Sequence, residues 1–189
     1  MIIVSGTPGT GKTVFAKTLA NEMGAQYVSL GKYVTEHRLY SGVDRRRKTR
    51  IIDVPKTRAK LFKLVKSASL PLIIDTHHPE GIIPNNATRI VFVLRCNPII
   101  LAQRLRKKKW SHEKITENVV AEILDYCLIN ARSYYTKKKV TQLDTSRSSV
   151  KRSVLTARKI LAGEKPPARP VDWLSKVSKS SSLSKYLKC

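Results

Sequence analysis

Apolar runs of strand length alternate along the chain with longer stretches of helical period, a pattern that predicts an α/β protein with a mainly parallel sheet. Ile2 to Ser5 predicts a first strand, and Gly11 to about Met23 a helix. Tyr27 to Leu30 predicts a short strand, with a helix from about Lys32 to Leu39 behind it. Asp53 followed by Pro55 has the form of a helix start, a cap with proline in the first turn, and predicts a helix to about Lys66. Leu70 to Asp75 and Arg89 to Leu94 predict buried strands, the second rich in β-branched and aromatic residues. Two helices are expected at about 98–107 and 116–134, then a last strand at Val140 to Leu143. Asp144 or Thr145 would cap a final helix through about Leu161, stopped by Gly163.

Residues 1–163 thus form one expected domain, as suits a chain of 189 residues. Residues 164–189 change character, with three prolines and then the serine- and lysine-rich stretch Ser175 to Lys188. This composition predicts a basic tail with little order outside Trp173 and Leu174. No apolar run reaches membrane-spanning length, and the N-terminus enters a strand without the features of a signal peptide. Cys96, Cys127 and Cys189 are widely spaced, which predicts reduced thiols and a cytoplasmic protein.

The segment Gly6-Thr7-Pro8-Gly9-Thr10-Gly11-Lys12-Thr13 fits the phosphate-loop pattern at every fixed position, between a predicted strand and a predicted helix. Its glycines let backbone N–H groups, including those at Thr10 and Val14, wrap an anion at the positive end of the helix dipole. Lys12 would reach the β- and γ-phosphates of ATP, and the Thr13 hydroxyl would bind Mg²⁺. The glycine spacing excludes a dinucleotide fingerprint.

Asp75 closes an apolar strand, where a carboxylate can hold Mg²⁺ through its water shell or simply cap a turn. His77 would orient or deprotonate an attacking water or hydroxyl, the alternative being a loop histidine bonded to backbone. Zinc ligation by His77 and His78 lacks further suitably placed ligands.

Charge then changes the picture. Lys and Arg number 37 against 13 Asp and Glu, a net +24, so polyanions are natural partners. Residues 44–66 carry a net +8 and residues 104–114 a net +5. The second cluster, with Arg104, Arg106 and Lys108, would close over a transferring phosphoryl or contact RNA with Trp110 stacking. The first cluster and the tail fit RNA contact or plain solubility.

The phosphate loop, Leu39-Tyr40-Ser41-Gly42, Asp75-Thr76-His77, Val91-Phe92-Val93-Leu94-Arg95, Arg104-Leu105 and Glu113-Lys114-Ile115-Thr116-Glu117-Asn118 with Glu122 together resemble the adenylate kinase isoenzyme 6 type family. That family groups a eukaryotic coilin-interacting nuclear ATPase with archaeal adenylate kinase homologues. The resemblance covers about residues 1–162 and implies a P-loop NTPase fold of nucleoside monophosphate kinase type with a five-stranded parallel sheet. It implies a monophosphate-binding arm at about 32–54 and a small lid at about 107–117. It also implies adenylate kinase and ATPase activity, with AMP and ADP as ligands and Asp75 and His77 at the strand end. A platform protein of the small ribosomal subunit and nearby rRNA are the implied partners, with no DNA and no membrane.

Three departures stand out. The family's lid has Arg-Gly and an aromatic, whereas Lys108-Lys109-Trp110 keeps the charge but loses the bidentate fork. Thr35 occupies the place of an arginine in the arm, for which Arg38 could substitute. Arg45-Arg46-Arg47 replaces acidic residues. Rival readings are an RNA-binding assembly factor that uses ATP as a switch, and a small-molecule kinase with another acceptor.

Overall fold

Side-chain alternation along the central strand β1 (Ile2–Gly6) sets the layering: Ile3 enters one apolar layer, Ile2 and Val4 the other. The computed structural model describes residues 1–45, 49–165 and 171–177. After β1 come α1 (Lys12–Met23), β2 (Gln26–Ser29), α2 (Leu30–Glu36), β3 (Tyr40–Asp44), β4 (Thr49–Ile52), α3 (Val54–Ser67) and β5 (Leu72–Asp75). The second half contains β6 (Ile90–Arg95), α4 (Pro98–Lys107), α5 (His112–Ile123), α6 (Tyr126–Tyr134), β7 (Val140–Asp144), α7 (Val150–Leu161) and the single turn α8 (Leu174–Val177).

Five strands form one parallel sheet in the order β2-β5-β1-β6-β7, as expected. Phe15, Leu19, Val154 and Ala157 bring α1 and α7 onto one face. Leu30, Leu61, Leu128 and Ala131 bring α2, α3 and α6 onto the other. A smaller core of Leu101, Leu105, Ile115 and Val119 joins α4 to α5 beside the sheet. Every strand of a parallel sheet ends on the same edge, and the pairings Val4 with Asp75 and Gly6 with Leu94 gather the phosphate loop and Asp75 there.

Several predicted boundaries move for identifiable reasons. The helix expected at 116–134 is two helices, because Asp125 adopts a left-handed conformation (φ 56°) while its carboxylate pairs with Arg95. α5 starts earlier than expected because the Ser111 hydroxyl accepts the Lys114 N–H at 3.4 Å. α7 begins at Val150, capped by Ser149, whose hydroxyl accepts the Arg152 N–H at 3.2 Å. Neither Asp144 nor Thr145 caps it, since the Thr145 hydroxyl donates to the carbonyls of Thr10 and Arg95.

α2 stops at Glu36, before Arg38 turns to φ 53°. In the arm, β3 and β4 form an exposed antiparallel hairpin that the sequence reading did not contain. Within the lid range only Lys108 to Ser111 separate α4 from α5. Arg46, Arg47 and Lys48 of the basic cluster, and residues 166–170 and 178–189 of the predicted tail, lie outside the described residues. No helix among the described residues is long and apolar enough to cross a membrane.

Cys96 and Cys127 are buried free thiols. Burial pushes the first up to about 12 and the second to about 11. Both should resist a thiol reagent in the native chain at pH 8 and react once the chain is unfolded in denaturant. Because the unfolded chain ionises these thiols first, stability should fall as pH rises above about 9. Denaturation midpoints at pH 8 and pH 10 check the sign.

Candidate nucleotide-binding site

The loop from Gly6 to Lys12 is clamped between two elements. A Cβ built on Gly6 (φ 136°) would lie 2.4 Å from the Leu94 carbonyl oxygen of β6. One built on Gly9 would lie 2.8 Å from a methyl of Leu101 and 3.0 Å from one of Leu105, both on α4. Only glycine permits both approaches. Inside the loop, the Thr10 hydroxyl and N–H both donate to the Thr7 carbonyl, at 2.9 and 3.2 Å. No side chain caps the start of α1, so its first N–H groups are left for an anion.

The Lys12 ammonium donates to the carbonyls of Gly6 at 2.7 Å and Thr7 at 3.1 Å. It is almost wholly buried, and burial lowers its pKa to about 8, against the opposing pull of Asp75. A cation short of solvent whose hydrogen bonds go to carbonyls gains strongly from a phosphate.

Asp75 ends β5 beside the loop, where its Oδ2 accepts from the Thr13 hydroxyl at 2.7 Å and from the Tyr27 hydroxyl at 3.3 Å. A buried carboxylate beside a hydroxyl at a phosphate loop is the hard-oxygen donor set that suits Mg²⁺. Thr13 and Asp75 therefore fit the metal, and Tyr27 orients the carboxylate from the outside.

Lys12, Thr13 and Asp75 line a cavity of about 760 Å³ together with Gly9, Thr10, Gly11, Val14, His77, Arg104 and Lys108, whereas Gly6 lies behind its wall. His77 sits with Nδ1 3.4 Å from the Gly6 carbonyl, while the Ser5 hydroxyl holds its backbone oxygen at 3.2 Å. Burial, then the Lys12 charge, lower the His77 pKa to about 4, so the ring is neutral at physiological pH. With Nδ1–H facing that carbonyl, the Nε2 lone pair is the available acceptor.

Of the cations expected over the phosphates, Arg104 and Lys108 line the cavity, joined by Lys107 and the Trp110 ring. Arg104 also donates to the carbonyls of Thr145 at 2.9 Å and Ser146 at 3.3 Å, tying α4 to the loop before α7. Arg106 is exposed and does not line the cavity, because Leu101 and Leu105 fix the face that α4 turns to Gly9. Arg38 is exposed and likewise does not line it. Instead Arg50 of β4 reaches the arm's Thr35 hydroxyl at 3.2 Å.

The sequence reading gave no site role to Tyr27, Thr145 or Arg50. Replacing Tyr27 with Phe should raise the magnesium concentration for half-maximal turnover about 10-fold while leaving the fold intact. Steady-state magnesium titrations against a melting curve measure both effects.

Comparison with known proteins identifies the family and the fold. A family described as "AAA domain" matches residues 2–125. A protein of Saccharolobus solfataricus named "Putative adenylate kinase" is 37% identical over 174 residues, spanning 92% of this chain and 87% of that protein. A protein of the same name from Methanocaldococcus jannaschii is 31% identical, spanning 93% of each chain. The crystal structure of shikimate kinase from Bacteroides thetaiotaomicron superposes with a TM-score of 0.54 at 19% identity, over 85% of this chain and 97% of that one, which is a likeness of fold. The chain therefore belongs to the AAA-domain P-loop family and, within it, to the adenylate kinase-like group of these archaeal relatives.

Proposed function

We propose that the chain is a nucleotide kinase that transfers the γ-phosphoryl group of ATP to AMP, with water as a second acceptor. The observation that carries this reading is the apposition of the Thr13 hydroxyl and Asp75 at 2.7 Å beside the buried Lys12 ammonium, on one wall of the cavity. The names of the archaeal relatives favour AMP as the acceptor.

In this reading the N–H groups at the start of α1 bind the phosphates, and Lys12 exchanges its two carbonyl partners for phosphate oxygens. Thr13 and Asp75 would hold magnesium, which would supply neutralising charge at the phosphates. Arg104, Lys107 and Lys108 add positive charge from α4. The flat Arg104 guanidinium, fixed against Thr145 and Ser146, offers a surface on which the base can stack. An oxygen of the AMP phosphate bonds to the γ-phosphorus as the bond to the β–γ bridging oxygen breaks, and two ADP result. When water attacks, its proton passes to His77 Nε2 and phosphate and ADP leave.

A second property has its own support. Lys56, Arg58, Lys60, Lys63 and Lys66 are all exposed on α3, which itself contains no acidic residue and is capped by Asp53. Lys66 lies over the exposed Phe62 ring at 4.7 Å. We infer that this face contacts RNA, consistent with a role in maturation of the small ribosomal subunit.

Lys12→Ala should lower turnover about 100-fold or more with ATP and AMP. ADP release measured with AMP, with other nucleotides and with water alone identifies the acceptor, and turnover within a few-fold of the unmodified chain would refute the assignment. For the α3 face, log K for single-stranded rRNA against log salt should have a slope of about −3 or steeper, at roughly −0.7 per phosphate. A slope of one or two phosphates would remove RNA as a partner.

A further inference from the structure

The buried Glu122 carboxylate on α5 joins parts of the chain remote in sequence. Its Oε2 accepts from the hydroxyl of Thr7, inside the phosphate loop, at 2.6 Å. Its Oε1 accepts from Arg95 Nε at 2.8 Å, from the Cys96 N–H at 2.9 Å and from the indole N–H of Trp173 at 3.1 Å.

Trp173 lies beyond the last core helix, yet it is only 3% exposed. Its local frame is self-contained: Asp172 accepts the Ser175 N–H at 3.0 Å and starts α8, and Lys176 lies over the indole at 4.7 Å. Arg95 already supplies the charge that Glu122 needs, so the indole adds direction and not neutralisation. Thr7, at the other end of the carboxylate, gives its carbonyl to Lys12 and to Thr10. A short bonded path therefore runs from Trp173 through Glu122 and Thr7 to the ammonium of the nucleotide site.

We propose that residues 171–177 form a strap on the phosphate loop, with Trp173 a positioning residue that holds the loop in its nucleotide-binding shape through Glu122. The strap rests on the loop being a nucleotide site. It makes nucleotide affinity depend on the C-terminal segment, and by linkage nucleotide binding must alter the surroundings of Trp173.

The chain has two tryptophans, so Trp110→Phe leaves Trp173 as the sole reporter. On adding a non-hydrolysable ATP analogue with Mg²⁺, the Trp173 emission should change and saturate at the Kd that calorimetry gives for the same Trp110→Phe chain, since Trp110 lines the cavity. Trp173→Phe keeps an aromatic ring and removes the indole N–H. It should raise that Kd about five-fold or more while the melting temperature stays close to that of the unmodified chain. Emission that stays flat through saturation, or an unchanged Kd in Trp173→Phe, would overturn the strap. The emission result decides even where Trp173→Phe folds poorly. Absence of binding heat in the unmodified chain would overturn the nucleotide reading and the strap with it.

Discussion

Keeping one ammonium charged inside the protein is the constraint on which this structure turns. Lys12 has little access to water, and burial draws its pKa down to about 8. An isolated buried cation is costly, so its surroundings must hold it with dipoles and charge. The carbonyls of Gly6 and Thr7 do so at short range, and Asp75 does so through its field. The glycines and the N-terminus of α1 place N–H groups beside the same point. The result is a site preorganised for an anion before one arrives, so little of the binding free energy is lost in rearrangement.

A second buried charge braces the first. Arg95, at the end of β6, sits against Glu122 and Asp125, and those carboxylates hold its pKa above the ordinary value despite burial. Through Glu122 this pair fixes the Thr7 hydroxyl, while Leu101 and Leu105 press on Gly9 from α4. The loop is thus held from the sheet, from α5 and from α4 at once. Loss of one partner of such a pair would strand a charge, which makes the arrangement a geometric constraint more than a source of stability.

What the sequence made legible follows from how locally each feature is determined. β1, the phosphate loop and α1 were readable because strand, glycine pattern and helix lie in consecutive residues. Asp75 was readable because a carboxylate ends an apolar run. The rest depends on tertiary contact. Asp125 interrupts a helical pattern without disturbing its apolar period, and the break is decided by Arg95, 30 residues away in sequence. Which lid cations face the cavity depends on the rotation of α4, set by Leu101 and Leu105, so Arg104 and Lys108 could not be told from Arg106 by charge alone. Tyr27 reads as an ordinary strand residue until β2 is placed beside β5. The β3–β4 hairpin buries no residue fully, and polar and apolar residues do not alternate along Tyr40–Asp44 or Thr49–Ile52.

The net charge of +24 and the local nest act over different distances. Charge on the surface draws any polyanion and is screened over roughly 8–10 Å at physiological salt. It raises encounter rates without selecting a ligand. Selection belongs to the short range, where the N–H groups at the start of α1, Lys12 and the Thr13–Asp75 pair are fixed beside one cavity. The two buried carboxylates nearest the loop show how these scales connect. In a chain so poor in acid, Asp75 and Glu122 stand beside the two buried cations, Lys12 and Arg95, and each also fixes a loop or helix hydroxyl. The outer field and the inner site therefore arise from one distribution of charge, with opposite charges buried together at the loop and the excess of base outside.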